Sequence, residues 1–235
     1  MNLLLFREGD RIGADRISIG DYRLQHLKNV IDASEGDRLR VGEINGLMGT
    51  AELVRLGPDE AVLDVTLDTR PPDKLPLTLV LALPRPKMLR RILRMVAELG
   101  VPHLHLINSY RVEKSYWQTP VLDPAVIEDF FLEGLSQSRD TILPVCELHK
   151  GFKPFVEDTL PELLQGRQGL LAHPGDYPAC PRAVSDPTLL MIGPEGGYIP
   201  YEIEKAADAG CRIVSLGPRI LRVENAVAAL ISQLF

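Results

Sequence analysis

Cysteine is scarce in this sequence: 235 residues contain three, Cys146, Cys180 and Cys211. They are widely separated, and none has a close second cysteine that would complete a metal-ligand pair. They read as reduced packing residues, and no metal is expected. Long apolar runs are missing as well. Nothing approaches the roughly 20 residues that cross a bilayer, and Met1-Asn2-Leu3-Leu4-Leu5-Phe6 is too short for the apolar core of a secretory signal. A cytoplasmic protein with no membrane partner is expected. Internal repeats and low-complexity segments are also lacking. With 45% apolar and 25% charged residues, the chain has room for one large domain and one small one.

Two nucleotide-binding signatures are absent in turn. A phosphate loop needs G-x-x-x-x-G-K-[ST], and a dinucleotide fingerprint needs G-x-G-x-x-G; neither occurs. Positive charge is short overall, with a net charge of -6, which ordinarily argues against a nucleic-acid partner. That sum hides an asymmetry. Between Pro84 and Lys114 there are seven Lys or Arg (85, 87, 90, 91, 94, 111, 114) against two Glu. A solvated helix face would account for the residues on the helix alone. Arg111 and Lys114 on the following loop turn the reading toward a polyanion, held by release of its condensed counterions.

What is present divides in two. Arg38 to Ile44 alternates polar and apolar residues, Asn45-Gly46 supplies a hairpin turn, Gly49 to Leu56 returns, and Ala61 to Leu67 follows a second turn at Gly57-Pro58. This pattern predicts a small β-barrel-like module over residues 1–72. Pro71-Pro72 break the pattern, and an α/β domain is expected over 73–235. There, apolar runs at Leu77 to Leu83, Leu104 to Ile107 and Leu189 to Ile192 read as strands covered on both faces. Helical segments at Met88 to Leu99, Pro124 to Gln137 and Tyr201 to Ala209 alternate with them, which implies a mainly parallel sheet. Met88, Leu89, Ile92, Leu93, Val96 and Leu99 form one apolar stripe, with most of the basic residues off it.

Two turns carry the candidate chemistry. Gly193-Pro194-Glu195-Gly196-Gly197 follows one apolar strand, and Gly217-Pro218-Arg219 follows another. In open α/β sheets, ligands sit beyond the carboxyl ends of strands, so two such turns can form one pocket. Glycine allows positive φ and lets a ligand approach bare backbone, while proline fixes the aim of the neighbouring N–H and C=O groups. Glu195 would repel a triphosphate. An adenosine-like ligand bearing a positive charge fits better. Either turn alone would be ordinary tight-turn chemistry; their pairing, with Leu221 to Asn225 opening a final apolar helix, points to function.

Ile192-Gly193-Pro194-Glu195-Gly196-Gly197, Ser215-Leu216-Gly217-Pro218-Arg219-Ile220-Leu221-Arg222 with Glu224, and the spacing between them resemble the RsmE family of 16S rRNA uridine N3-methyltransferases, in the SPOUT class. Further similarity runs through His26 to Asp37, Glu98 to Val101, Gln137-Ser138-Arg139 with Leu143-Pro144, and Leu171-Ala172-His173-Pro174-Gly175. The resemblance implies a C-terminal SPOUT domain with a deep trefoil knot, an N-terminal PUA-like barrel that holds RNA, and a homodimer with the cofactor cleft at its interface. It implies S-adenosylmethionine as cofactor, lined by Leu171, His173, Pro174, Ile192 to Gly197, Leu216, Gly217, Ile220 and Leu221. The implied target is uridine 1498 of 16S rRNA in the small ribosomal subunit.

For the transfer step, Arg222 is expected beside the uridine carbonyls. Glu224 is expected as base or as the group that orients Arg222, and Glu195 as a shaper of its loop. The structural alternative for Arg222 and Glu224 is a salt bridge plus favourable charge at a helix N-terminus. Arg85, Lys87, Arg91, Arg94, Arg111, Lys114 and Arg139 are the expected RNA contacts, while Tyr110, Tyr116 and Trp117 read mainly as packing residues. The chain departs from the family where Val223-Glu224-Asn225 replaces its usual Thr-Glu-Thr, where Pro84-Arg85-Pro86-Lys87 stands in the segment of its usual lysine, and in an N-terminal arginine missing from Leu3 to Phe6. Two other readings remain open: a knotted methyltransferase acting on another RNA such as tRNA, and a non-catalytic rRNA-binding assembly factor.

Overall fold

In the computed structural model, which describes residues 2–235, the alternating residues of the first seventy positions form strands with one face buried. These are β1 (Leu4–Phe6), β2 (Arg11–Gly13), β3 (Arg16–Ile19), β4 (Arg38–Glu43), β5 (Met48–Leu56) and β6 (Ala61–Thr69), with α1 (Tyr22–Asn29) between β3 and β4. Their order is β1-β4-β5-β6-β3-β2. All neighbours are antiparallel except β1 and β4. Asn45 adopts φ 60°, as the tight β4–β5 hairpin requires. The sheet curls: Arg11 on β2 donates to both carboxylate oxygens of Glu43 on β4, at 3.2 and 2.8 Å. Phe6, Ile17, Ile19, Leu24, Leu27, Val41, Leu53 and Leu63 fill the concave side. Asp21 starts α1 by accepting from the Arg23 backbone N–H. The chain up to Asp73, together with Leu132–Leu143, forms this unit; Lys74–Phe131 and Pro144–Phe235 form the second.

The second unit is built on six parallel strands, β7 (Leu77–Ala82), β8 (His103–Ile107), β9 (Val145–His149), β10 (Gln168–Ala172), β11 (Thr188–Ile192) and β12 (Cys211–Val214), in the order β12-β10-β11-β7-β8-β9. Every residue of β7 and β11 is buried, as expected for strands covered on both faces. Each such Leu, Ile or Val contributes roughly 1.5–3 kcal/mol of apolar burial. Its helices are α2 (Pro86–Glu98), the start of α3 (Pro124–Ser138), two short helices flanking a π-helical turn at Phe155–Thr159 (α4, Phe152–Pro154; α5, Leu160–Leu163), α6 (Pro200–Asp208) and α7 (Val223–Leu234).

α2 begins on Pro86, whose missing N–H is no loss at a first helical position, and ends where Gly100 turns at φ 71°. Its stripe Leu89, Ile92, Leu93 and Val96 is fully buried, while Arg90 and Arg91 face solvent. Trp117 is partly buried and donates to Asn108, but Tyr110 is 79% exposed. Tyr110 is the exception to the packing expected of most of these rings: its backbone N–H is tied down by Glu202, and its ring is exposed. Among the described residues no helix is long and apolar enough to cross a membrane.

Candidate active site

The parallel order places β10, β11 and β12 side by side, so their C-terminal turns converge. These turns, the start of α2 and the first two turns of α7 surround a cavity of about 700 Å³, within the range for small-molecule sites. Its walls hold eleven of the expected cofactor residues: His173, Pro174, Ile192, Gly193, Pro194, Glu195, Gly197, Leu216, Gly217, Ile220 and Leu221. Arg222 and Glu224 line the same cavity. Leu171 is instead fully buried inside β10. Gly196 is not on the wall either; its carbonyl accepts from the Arg111 guanidinium.

Each turn is shaped by its own residues. Gly197 sits at φ 72° and Gly217 at φ 102°, conformations that L side chains rarely adopt. Ser215 accepts from the Gly217 N–H at 3.1 Å through its hydroxyl, which closes the second turn. A Cβ at Gly193 would stand 3.2 Å from both the backbone nitrogen and the ring of Tyr198. The buried Tyr198 hydroxyl donates to the Ile192 carbonyl, and burial raises the phenol well above its usual pKa.

Glu195 accepts from the Arg85 backbone N–H at 3.0 Å, joining the glycine turn to the start of α2. Glu202, 2% exposed, is the hub behind the turn. It accepts from the Ser109 hydroxyl at 3.0 Å, the Tyr110 N–H at 2.8 Å and the Ile199 N–H at 3.0 Å. That fixes the 108–111 loop, which carries Arg111 to Gly196. Burial, followed by the charge of Arg111, lowers His173 below the ordinary imidazole range.

Arg222 is the exposed N-cap residue of α7, and Glu224 lies in its first turn, 8% exposed. The helix N-terminus favours that carboxylate. Of the expected RNA contacts, Arg85 and Lys87 line the cavity itself. Arg91 and Lys114 are exposed, Arg94 lies 4.6 Å over the Phe130 ring, and Arg111 is engaged with Gly196. Arg139 is exposed, at φ 60°, in the first unit.

The expected cofactor set leaves out Met88, Ala172, Ser215, Arg219, Val223, Ala226 and Leu230, which also line the cavity. Ser215 and Arg219 flank residues already singled out. Val223, Ala226 and Leu230 share one helical face, a spacing that was readable once α7 was assigned.

Comparison with known proteins gives the family. A family model described as an RNA methyltransferase domain matches residues 71–235, which places the second unit in that class. The ribosomal RNA small subunit methyltransferase E of Treponema pallidum (strain Nichols) is 30% identical over 97% of this chain and 88% of its own length. The protein of the same name from Synechocystis sp. (strain PCC 6803) is 28% identical over 93% and 72%. The chain belongs to the ribosomal RNA small subunit methyltransferase E family. A crystal structure of such an enzyme from Neisseria gonorrhoeae, bound to S-adenosyl methionine, shares the fold with a TM-score of 0.77 at 22% identity, covering 98% of this chain and 95% of that one.

Proposed function

We propose that this chain transfers a methyl group from S-adenosylmethionine to N3 of a uridine in 16S ribosomal RNA, with uridine 1498 of the small subunit as the target. The observation that carries the reading is the convergence of both glycine–proline turns with Arg222 and Glu224 on one cavity. The cavity suits the cofactor chemically. Ile192, Leu216, Ile220 and Leu221 offer apolar walls, and the two turns, which carry no lysine of their own, offer main-chain donors and acceptors. The Neisseria gonorrhoeae relative binds the same ligand, which supports it here.

Bound there, the cofactor supplies an electrophilic methyl group. The Gly193–Gly197 and Leu216–Gly217 turns would hold the adenosyl portion, with His173 and Pro174 on the same cavity wall. Glu224 takes the proton that leaves N3, or holds Arg222 in place. Arg222 offers a cation to the uridine carbonyl oxygens as negative charge grows on them, where a fixed donor lowers the barrier most. Because N3 lies on the pairing edge, the uridine must be unpaired or drawn from its stack. Arg85, Lys87, Arg91, Arg94, Arg111, Lys114 and Arg139 attract the flanking phosphates.

The remaining elements follow from the same reading. The curled first sheet acts as a PUA-like RNA-binding barrel. The Ser215 N–H donates to the Pro178 carbonyl, the Cys180 N–H to the Ser215 carbonyl and the Val184 N–H to the Leu234 carbonyl; this close packing of the 178–184 segment on the C-terminal part of the chain supports a trefoil knot of the SPOUT class there. A second copy covers Ile220, 80% exposed, and Leu221, 39% exposed, on the turn that lines the cavity. The enzyme works in the cytoplasm with the small ribosomal subunit.

The test is methyl transfer from labelled S-adenosylmethionine to small subunits that lack the modification, followed by mapping of the base. Label on uridine N3 is the expected result. Label on another base or RNA reassigns the target, and cofactor binding without transfer to any ribosomal RNA overturns the proposal. Arg222→Ala should lower turnover at least about 100-fold, in line with loss of one charge-stabilising donor, and leave cofactor affinity nearly unchanged. An equal loss in both would make Arg222 a binding residue.

A further inference from the structure

On the far side of the sheet order from the cofactor turns, β8 and β9 place three metal-ligating side chains on one face. The register pairs His105 with Glu147 and Ile107 with His149. In a strand, residues two apart share a face, and partners in adjacent parallel strands share it too. His105, Glu147 and His149 therefore converge. His105 Nδ1 lies 3.0 Å from His149 Nε2, and Glu147 Oε2 lies 4.0 Å from the first and 3.9 Å from the second. The point equidistant from these three atoms in their plane is about 2.1 Å from each, the bond length of zinc to imidazole nitrogen or carboxylate oxygen. A tetrahedral ion at that bond length holds its ligand atoms about 3.4 Å apart, so the two rings must spread and the carboxylate must move in, each by about half an ångström.

The surroundings suit such an ion. His105 is buried and His149 partly so, with the Phe155 ring 4.9 Å from the His149 ring. Phe155 opens the π-helical turn, a rare geometry that occurs frequently at functional sites. Neutral imidazoles offer the lone pairs a metal requires, and Glu147, exposed on one side, adds a negative charge and leaves a path from solvent.

We propose that His105, Glu147 and His149 form a binding site for one divalent transition cation, with zinc the best match to two nitrogens and one carboxylate, and with water as the fourth ligand. The site is built into the edge of the sheet, where the ion fastens β9 to β8. Its role is structural, and it stands independently of the methyl-transfer reading. The competing account is a simple N–H···N hydrogen bond between the two rings.

Protein stripped with a chelator would be titrated with Zn²⁺ and, separately, with Co²⁺, whose visible absorption reports nitrogen and oxygen ligation. The expected result is one Zn²⁺ per chain, a raised melting temperature and tetrahedral Co²⁺ bands. Glu147→Gln should weaken zinc at least about tenfold, and His149→Ala should abolish the Co²⁺ bands while leaving the far-UV circular dichroism unchanged. Both positions are less buried than His105, so these variants are the ones to make. Zinc uptake no greater than that of the His149→Ala chain, or uptake that neither substitution alters, would overturn the assignment.

Discussion

Glu202 offers the most direct test of how the cofactor turn is held. Its two carboxylate oxygens serve three donors: Oε1 accepts from the Tyr110 N–H, and Oε2 from both the Ser109 hydroxyl and the Ile199 N–H. Glu202→Gln keeps the volume but turns one oxygen into an NH₂ donor. If the amide nitrogen replaces Oε1, it faces the Tyr110 N–H; if it replaces Oε2, it faces the Ile199 N–H, although the Ser109 hydroxyl can rotate to accept. Either way one backbone donor loses its acceptor, at a cost of about 1–3 kcal/mol. Glu202→Ala strands all three donors and leaves a void, which adds to about 3–5 kcal/mol. Trp117 is the only tryptophan and lies in the same unit, so its fluorescence during urea unfolding reports that unit alone. The reasoning fails if the glutamine chain stays within about 0.5 kcal/mol of the unsubstituted one, or if alanine costs no more than glutamine.

Gly217→Ala places a methyl group where nothing lies within 4 Å, so its whole effect comes from the φ of 102°. About 1–3 kcal/mol of backbone strain should weaken S-adenosylmethionine by between about fivefold and about 160-fold by calorimetry, and unchanged affinity would show that the turn does not shape the site. Glu195→Gln retains an oxygen for the Arg85 N–H and should bind cofactor within about threefold of the unsubstituted chain, whereas Glu195→Ala should lose about fivefold, the worth of one hydrogen bond near 1 kcal/mol. Should the glutamine variant bind cofactor normally but lose the pH dependence of turnover, Glu195 rather than Glu224 handles the proton. The Arg11 guanidinium holds Glu43 below its ordinary carboxylate value of 4.5. The stabilisation is therefore present above that value and is lost as pH falls through the lower folded-state value. Glu43→Gln should destabilise the first unit by about 1 kcal/mol at pH 7, with the difference closing in acid; a gap that persists in acid would mean the residue acts through packing.

Sequence legibility followed the range of the forces involved. Local periodicity marked α2 to within a residue or two, because Leu89, Ile92, Leu93 and Val96 all had to face the core. The runs that became β7 and β11 were readable because both faces are buried. The short strands β1, β2 and β3 carry three or four residues each, too few for a period to show, and they depend on partners elsewhere in the chain. β9 was hidden for another reason. Its residues are mostly exposed or half-buried, so a strand at the sheet edge looks like loop until β8 is beside it.

The same distinction separates the two sites. A turn that binds through its backbone writes its requirement into adjacent letters: glycine where φ is positive, proline where the turn is fixed, and Gly217 and Gly197 lie in such runs. The members that sequence alone did not supply, Met88, Ala172 and Leu230, contribute only apolar wall, for which any core residue would look the same. The His105–Glu147–His149 cluster is drawn from side chains on two strands separated by 37 residues of chain, and it exists only because β8 and β9 pair in one register. A slip of one residue would send His149 to the opposite face. The parallel pairing that makes β9 hard to read is thus also what assembles the second site, and a zinc ion bound there would act on the register itself.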